Sequence, residues 1–217
     1  MGSLDQITSL IALSMGAAWA SGINLYAAIL MLGLLGSTGN LSLPADLQIL
    51  ANPLVIGAAG IMYLIEFVAD KIPGIDNSWD ALQTFIRVPA GAALAAGAVG
   101  ALDPAVVMAA AIVGGGLTAG THAAKAGTRV MLNTSPEPFS NWVASLSEDA
   151  LVIIGLWAAL QHPWLFMILL VMFILLMIWL MPKIWRGIKG LWCLLTSFFS
   201  KREPLQPPPA SPVADRK

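Results

Sequence analysis

Eight polar side chains stand inside or at the ends of long apolar stretches: Asn24, Glu66, Arg87, His122, Lys125, Arg129, Glu148 and Asp149. An ionisable group at bilayer depth costs about 2.5–3.5 kcal/mol on insertion scales, so such groups face partners or water. Two kinds of chemistry fit these types. Arg87, Lys125 and Arg129 could receive an anionic group, because guanidinium matches carboxylate and phosphate. Glu66, Glu148 and Asp149 would then balance them, or hold a coupling cation or proton. His122 could pass protons near neutral pH, although a His bonded to a backbone or acidic partner is the commoner case. The alternative is that the three acids and three bases pair with one another and lock helices together, with Lys125 and Arg129 reaching toward the membrane surface. His122, Lys125 and Arg129 are spaced i, i+3, i+7, which places them on one helix face.

A carboxylate set with one His (Glu66, His122, Glu148, Asp149) is chemically able to hold a divalent ion. These residues come from three separate segments without diagnostic spacing, so no metal and no cofactor is expected. Asp70, Asp76 and Asp80 do not follow a calcium-loop pattern and read as solvated loop acids. No metalloprotease, nucleophile-elbow or phosphate-loop motif is present. Cys193 is the only cysteine, which removes internal disulfides and multi-cysteine metal sites.

The elements that must position these residues are helices in lipid. Hydrophobic residues make up 58% of the chain and charged ones 11%, with a mean hydropathy of +0.79, outside the range of ordinary soluble domains. No basic face with interleaved aromatics points to nucleic acid. Apolar stretches fall at 8–36, 49–69, 82–102, 104–130, 141–161 and 163–182. If the first begins in the cytoplasm and the chain alternates, the outer connections (37–48, 102–103, 161–163) contain none of the eleven Lys and Arg residues. That is the positive-inside asymmetry of a six-span protein with both termini cytoplasmic. Ala18-Trp19-Ala20 has a passable cleavage pattern, but Asp5 and the lack of preceding Lys or Arg make a removed signal segment the weaker reading.

Several segments fit a plain span poorly. The first stretch measures about 45 Å at about 1.5 Å per residue and carries Ser21-Gly22-Ile23-Asn24 near its centre. A tilted helix whose small residues admit a close neighbour is the preferred reading, and a kink or unwound turn is the alternative. The third span must reach back to about Leu82, which draws Arg87 about 7 Å into the apolar zone. The fifth must start near Asn141, with Glu148 and Asp149 near its middle, or else be a half-helix beside a re-entrant piece. Gly114-Gly115-Gly116 marks either close packing or a break in the fourth. Trp164 and Trp179 bracket the sixth like an aromatic belt. The chain thus divides into a five-span core over 1–161, a sixth span over 162–182, a basic interfacial helix over 183–202 and a disordered Pro-rich tail over 203–217. Displacing the chain by 63 residues superposes Leu54 on Leu117, Gly57 on Gly120, Pro73 on Pro136, Trp79 on Trp142 and Ala81 on Ala144, a weak internal repeat of a kind recurrent in transporters.

Four segments carry a family likeness: Ser21 to Ala27; Glu66 to Pro73 with Asp76 and Trp79; Thr121 to Ala126 with Arg129; and Ser140-Asn141 with Ser147-Glu148-Asp149. Together they resemble a family of bacterial integral-membrane proteins classed as a domain of unknown function. The likeness covers about residues 5–160 and leaves the sixth span and tail as an added part. It implies the bacterial inner membrane and brings no substrate or catalytic role.

The expectation is therefore an all-α, polytopic transmembrane helix bundle of about six spans with broken or re-entrant pieces. Its expected function is a transporter or channel for a small anionic solute or lipid phosphate headgroup, at a charged site open to the cytoplasm. Its partners would be the bilayer, that solute and a second copy of the chain. A non-transporting scaffold, and an enzyme on a lipid-linked substrate with Glu148, Asp149 or His122 as acid or base, are the competing readings.

Overall fold

A computed structural model describes residues 3–72, 74–133 and 138–200, with backbone alone for Ser3, Pro138 and residues 191–200. The expected tail over 203–217, Pro73 and the apolar side chains of 191–199 lie outside the described side chains. All regular structure is helical: α1 (Ser3–Ser37), a short 3-10 helix (Ala45–Ala51), α2 (Pro53–Ala69), α3 (Ile75–Ala98), α4 (Pro104–Leu132), α5 (Pro138–Gln161) and α6 (Pro163–Ser200).

The helix starts follow local chemistry. Asn52 and Asp103 are N-caps whose side chains accept from the backbone N–H of Leu54 at 2.9 Å and Ala105 at 2.8 Å. In each case proline follows at the first helical position, where its missing N–H costs nothing. The 3-10 helix and α2 meet at 66°.

Among the described residues four helices are long and apolar enough to cross a membrane: α1, α4, α5 and the 163–190 part of α6. The bent pair formed by the 3-10 helix and α2 makes five if it counts as one span. The expected third span, α3, is outside that set. The reason is compositional: α3 carries Asp76, Asp80, Gln83 and Arg87, all buried.

The molecule is inside out relative to a soluble domain. Arg87 and Arg129 are the largest fully buried side chains, while Leu54, Phe85, Ile112, Leu175 and Ile178 are among the exposed ones. So much exposed aliphatic surface requires an apolar solvent, and these helices make the chain a membrane protein.

α1 is the hub and packs on every other helix, and α3 lies against α4 along its length. Small residues permit the approach: a Cβ on Gly22 would collide with Thr121, one on Gly91 with Thr118, and one on Gly114 with Ala95. Gly114 and, against Ala92, Gly115 are thus packing residues within a continuous α4, whereas Gly116 faces open space. Two apolar clusters flank the hub, one joining α1 to α5 and α6 around Trp19, Leu156 and Phe166, the other joining it to α3 and the 3-10 helix around Leu25, Leu47 and Leu94.

Two expectations change, for α1 and α6, and for α5 one of the two readings stands. α1 does not stay helical throughout, because Asn24 adopts φ −146° and ψ 100°, so the break stands beside the close packing of Gly22 rather than being excluded by it. α5 is one continuous 24-residue helix with Glu148 and Asp149 near its middle, and no re-entrant piece forms in its described part. α6 runs on past Pro182 through Ser200, so the sixth apolar segment and the basic segment form a single helix.

The helix ends can be set against the displacement of 63 residues. Under the same displacement Ala69, Ile75 and Ala98, which end α2 and bound α3, fall on Leu132, Pro138 and Gln161, which end α4 and bound α5.

Candidate functional site

The break in α1 is the organising feature. Asn24 acts as the N-cap of the second half-helix, its Oδ1 accepting from Ala27 N–H at 3.0 Å. Diverting that N–H releases the Ile23 carbonyl, which would otherwise receive it in a regular helix. Ile23 O instead accepts from Arg87 Nη1 at 3.0 Å and Lys125 Nζ at 3.2 Å, and Gly22 O accepts from Arg87 Nη1 at 3.2 Å. Orphan carbonyls are costly in an apolar interior, and two cations from neighbouring helices satisfy these.

Around that point all eight sequence-predicted residues converge. Arg87 donates to Glu66 Oε1 through Nη2. Lys125 Nζ reaches Asp70 Oδ2 at 3.0 Å, Glu66 Oε1 at 3.2 Å and Glu148 Oε2 at 3.4 Å. Arg129 grips Glu148 with two bonds, Nε to Oε1 at 3.1 Å and Nη2 to Oε2 at 2.7 Å, the fork geometry that suits guanidinium to carboxylate. It also donates to Asp70 Oδ2 at 3.2 Å and Asp70 O at 2.9 Å. Asp149 accepts from Asn24 Nδ2 and Tyr63 OH, each at 3.0 Å.

His122 sits between Arg87 and the first turns of α3. Its Nδ1 lies 3.2 Å from Arg87 Nη1, and its Nε2 lies 3.0 Å from Asp80 O and 2.8 Å from Thr84 Oγ1. A guanidinium has only donors, so Nδ1 must accept and the ring proton belongs on Nε2. The geometry therefore holds a neutral imidazole of fixed tautomer, the bonded state rather than a free relay.

The acids read as solvated loop residues are the main correction. Asp70, Asp76 and Asp80 are 3%, 0% and 1% exposed. Asp70 caps α2 and bridges Lys125 and Arg129. Asp76 receives two bonds from Asn133 Nδ2 at 2.9 and 2.8 Å, and Asn141 Nδ2 donates to Asn133 Oδ1 at 2.6 Å, tying the ends of three helices together. Asp80 stands 3.9 Å from both Arg87 and Lys125, and among the described residues nothing hydrogen-bonds either of its carboxylate oxygens. A signal existed. Once α3 begins at Ile75, residues 76, 80, 83 and 87 form a single helical stripe, the same periodicity as 118, 122, 125 and 129 on α4. Gln83, which pairs with Tyr26 OH at 3.1 Å, shares that stripe, whereas Tyr63 carried no comparable sequence signal.

The cluster therefore holds five acids (Glu66, Asp70, Asp80, Glu148, Asp149) and three bases (Arg87, Lys125, Arg129). Lys71 lies at its rim, bonded to Phe67 O at 2.9 Å and Ser145 Oγ at 3.4 Å. Burial lowers its amine below the usual lysine value, and its charge offsets part of the acidic excess. Among the described residues no group of three or more His, Cys, Asp or Glu is arranged to hold a metal ion.

Residues 11–183 match the family described as Domain of unknown function (DUF4126). The chain belongs to the DUF4126 family. The match runs through the sixth apolar segment to Lys183, so that segment is part of the DUF4126 unit rather than an addition to it. No curated protein and no solved structure matches the chain.

Proposed function

We propose that this DUF4126 protein is a membrane transporter whose cargo or coupling species is a cation or proton, handled at the buried charge cluster. The observation that carries the reading is the discontinuity of α1 at Asn24 inside that cluster. Broken helices that present backbone carbonyls and half-helix ends near the midplane are a recurrent way to bind and release ions. The charge balance supports a positive species over the anion expected from sequence, because Arg87, Lys125 and Arg129 each already have a carboxylate within hydrogen-bond reach and acids outnumber them.

In this reading α3 is the sixth span. Its 24 residues cover about 36 Å at about 1.5 Å per residue, enough for a hydrocarbon core of about 30 Å, and its polar stripe is paired inside the bundle. Both termini then lie in the cytoplasm by the positive-inside rule, and the setting is a bacterial inner membrane.

A structural lock is the second reading, favoured by the closed bidentate pair of Arg129 and Glu148. Proteoliposomes loaded with a pH-reporting dye separate the two. Under an imposed pH gradient, with sodium, potassium or phosphate outside in turn, the native protein should collapse the gradient at least tenfold faster than empty vesicles. Glu148→Gln, reconstituted to the same level and folded, should not. Native vesicles no faster than empty ones in all three buffers would remove the transport reading and leave the lock. A rate that requires phosphate would restore an anionic cargo.

A further inference from the structure

Asp149 differs from the other four acids of the cluster. Among the described residues none of the basic side chains comes within 4.0 Å of it. Its hydrogen-bond partners, Asn24 Nδ2 and Tyr63 OH, are neutral donors. A carboxylate offers about four acceptor positions, so two donors leave others unused.

Asp149 also closes one end of a groove. A cavity of 360 Å³ runs between the second half of α1, α2 and α5, lined by Ala27, Leu30, Leu34, Tyr63, Asp149 and Ile153 among others. Its volume is within the range of about 300–1,000 Å³ typical of small-molecule sites. Asp149 is the single ionisable carboxylate on otherwise apolar walls, beside the phenol of Tyr63. The rim opens outward, with Leu34 46% and Ile153 53% exposed, so in a bilayer it opens to hydrocarbon rather than to water.

These features select a ligand class. A hydrated inorganic cation entering sideways would have to shed its water and cross hydrocarbon, which is very costly for a small ion. An acyl chain would fill the apolar walls but would leave the carboxylate unanswered. An organic cation that carries its own apolar surface satisfies both, and the Tyr63 ring adds a cation–π face. We propose that this groove is a binding site for an amphipathic organic monocation that enters from the membrane interior and places its positive centre against Asp149. As a cargo site it rests on the transport reading above, whereas its occupancy does not.

Equilibrium binding to the full chain in phosphatidylcholine nanodiscs tests this, with tetraphenylphosphonium as probe and the neutral triphenylphosphine oxide as its control. The native protein should bind the phosphonium saturably and the oxide at least tenfold more weakly. Asp149→Asn should weaken phosphonium binding at least tenfold. So should Ile153→Trp, which fills the groove one turn from the carboxylate and leaves the charged cluster untouched. Melting curves confirm that each variant is folded, and if Asp149→Asn does not fold, Ile153→Trp and the neutral control still decide. Absent saturable binding, equal affinity for the oxide, or native affinity in folded Ile153→Trp would overturn the proposal. Phosphonium binding without proton flux in vesicles upholds the groove and removes the transport reading, and flux without binding does the reverse.

Discussion

α6 turns Leu165, Ile168, Leu169, Leu175 and Ile178 outward and buries only a small share of its surface, whereas α3 turns Asp76, Asp80, Gln83 and Arg87 inward until almost nothing of them is exposed. The first helix advertises its solvent and the second conceals it. Hydropathy along a sequence averages over all faces of a helix, so it registers α6 and passes over α3. What makes α3 tolerable in lipid is not its composition but its neighbours: Arg87 meets Glu66 of α2 and the broken turn of α1, Asp80 has Lys125 of α4 at 3.9 Å, and Asp76 accepts from Asn133 at the cap of α4. Insertion tendency is local on α6 and collective on α3.

Substitutions on the two helices break or sharpen this contrast. Arg87→Ala should have the largest effect, because in a buried site it takes one of two cations from Glu66 and from the Ile23 carbonyl and leaves the Gly22 carbonyl without its side-chain donor. Removing one partner of a buried ion pair costs about 3–5 kcal/mol, read as a lowered unfolding midpoint in detergent. The double variant Glu66→Leu with Arg87→Met should recover part of that loss, and a strictly additive double variant would show that the pair is not coupled. Leu175→Arg puts a charge on the exposed face of α6 where no partner waits. It should cost about 2.5–3.5 kcal/mol of insertion free energy, measured as reduced membrane integration, and normal integration would show that this face is not in contact with hydrocarbon.

Gly91→Val should cost about 1–3 kcal/mol by overpacking the α3–α4 contact at Thr118, again seen in the melting midpoint. Asn24→Ala removes the cap of the second half of α1 and should cost about 0.5–2 kcal/mol, with Asp149 losing one of its two donors. Leu169→Ala on the outer face of α6 should change the midpoint least, by under about 0.5 kcal/mol, and a large loss there would mean that a partner surface, not lipid, covers α6.

The chemistry-bearing residues were largely legible, because ionisable groups in apolar runs are conspicuous and His122, Lys125 and Arg129 share a helical face by spacing alone. Asp70 and Asp80 were not, since both adjoin a segment dense in turn residues and the start of α3 had to be known before position 80 could be aligned with position 87. The break at Asn24 was visible only as one of two readings. Ser-Gly-Ile-Asn permits a bend, but what holds it open is supplied from far along the chain by Arg87 and Lys125. The charge count of the cluster depends on the same two residues: three bases and three acids look balanced until Asp70 and Asp80 are counted with them.

The broken turn of α1 also has a bearing on biogenesis. α1 leaves the ribosome ahead of α3 and α4, yet the donors that quiet its carbonyls reside on those two helices, emerging some sixty to one hundred residues later. Until they arrive, a nascent α1 released into lipid would expose naked peptide oxygens, and α3 on its own would be too polar to leave the aqueous channel. The first four helices must therefore be retained beside the insertion machinery and handed to the bilayer together, which makes their release a single concerted event rather than four independent ones.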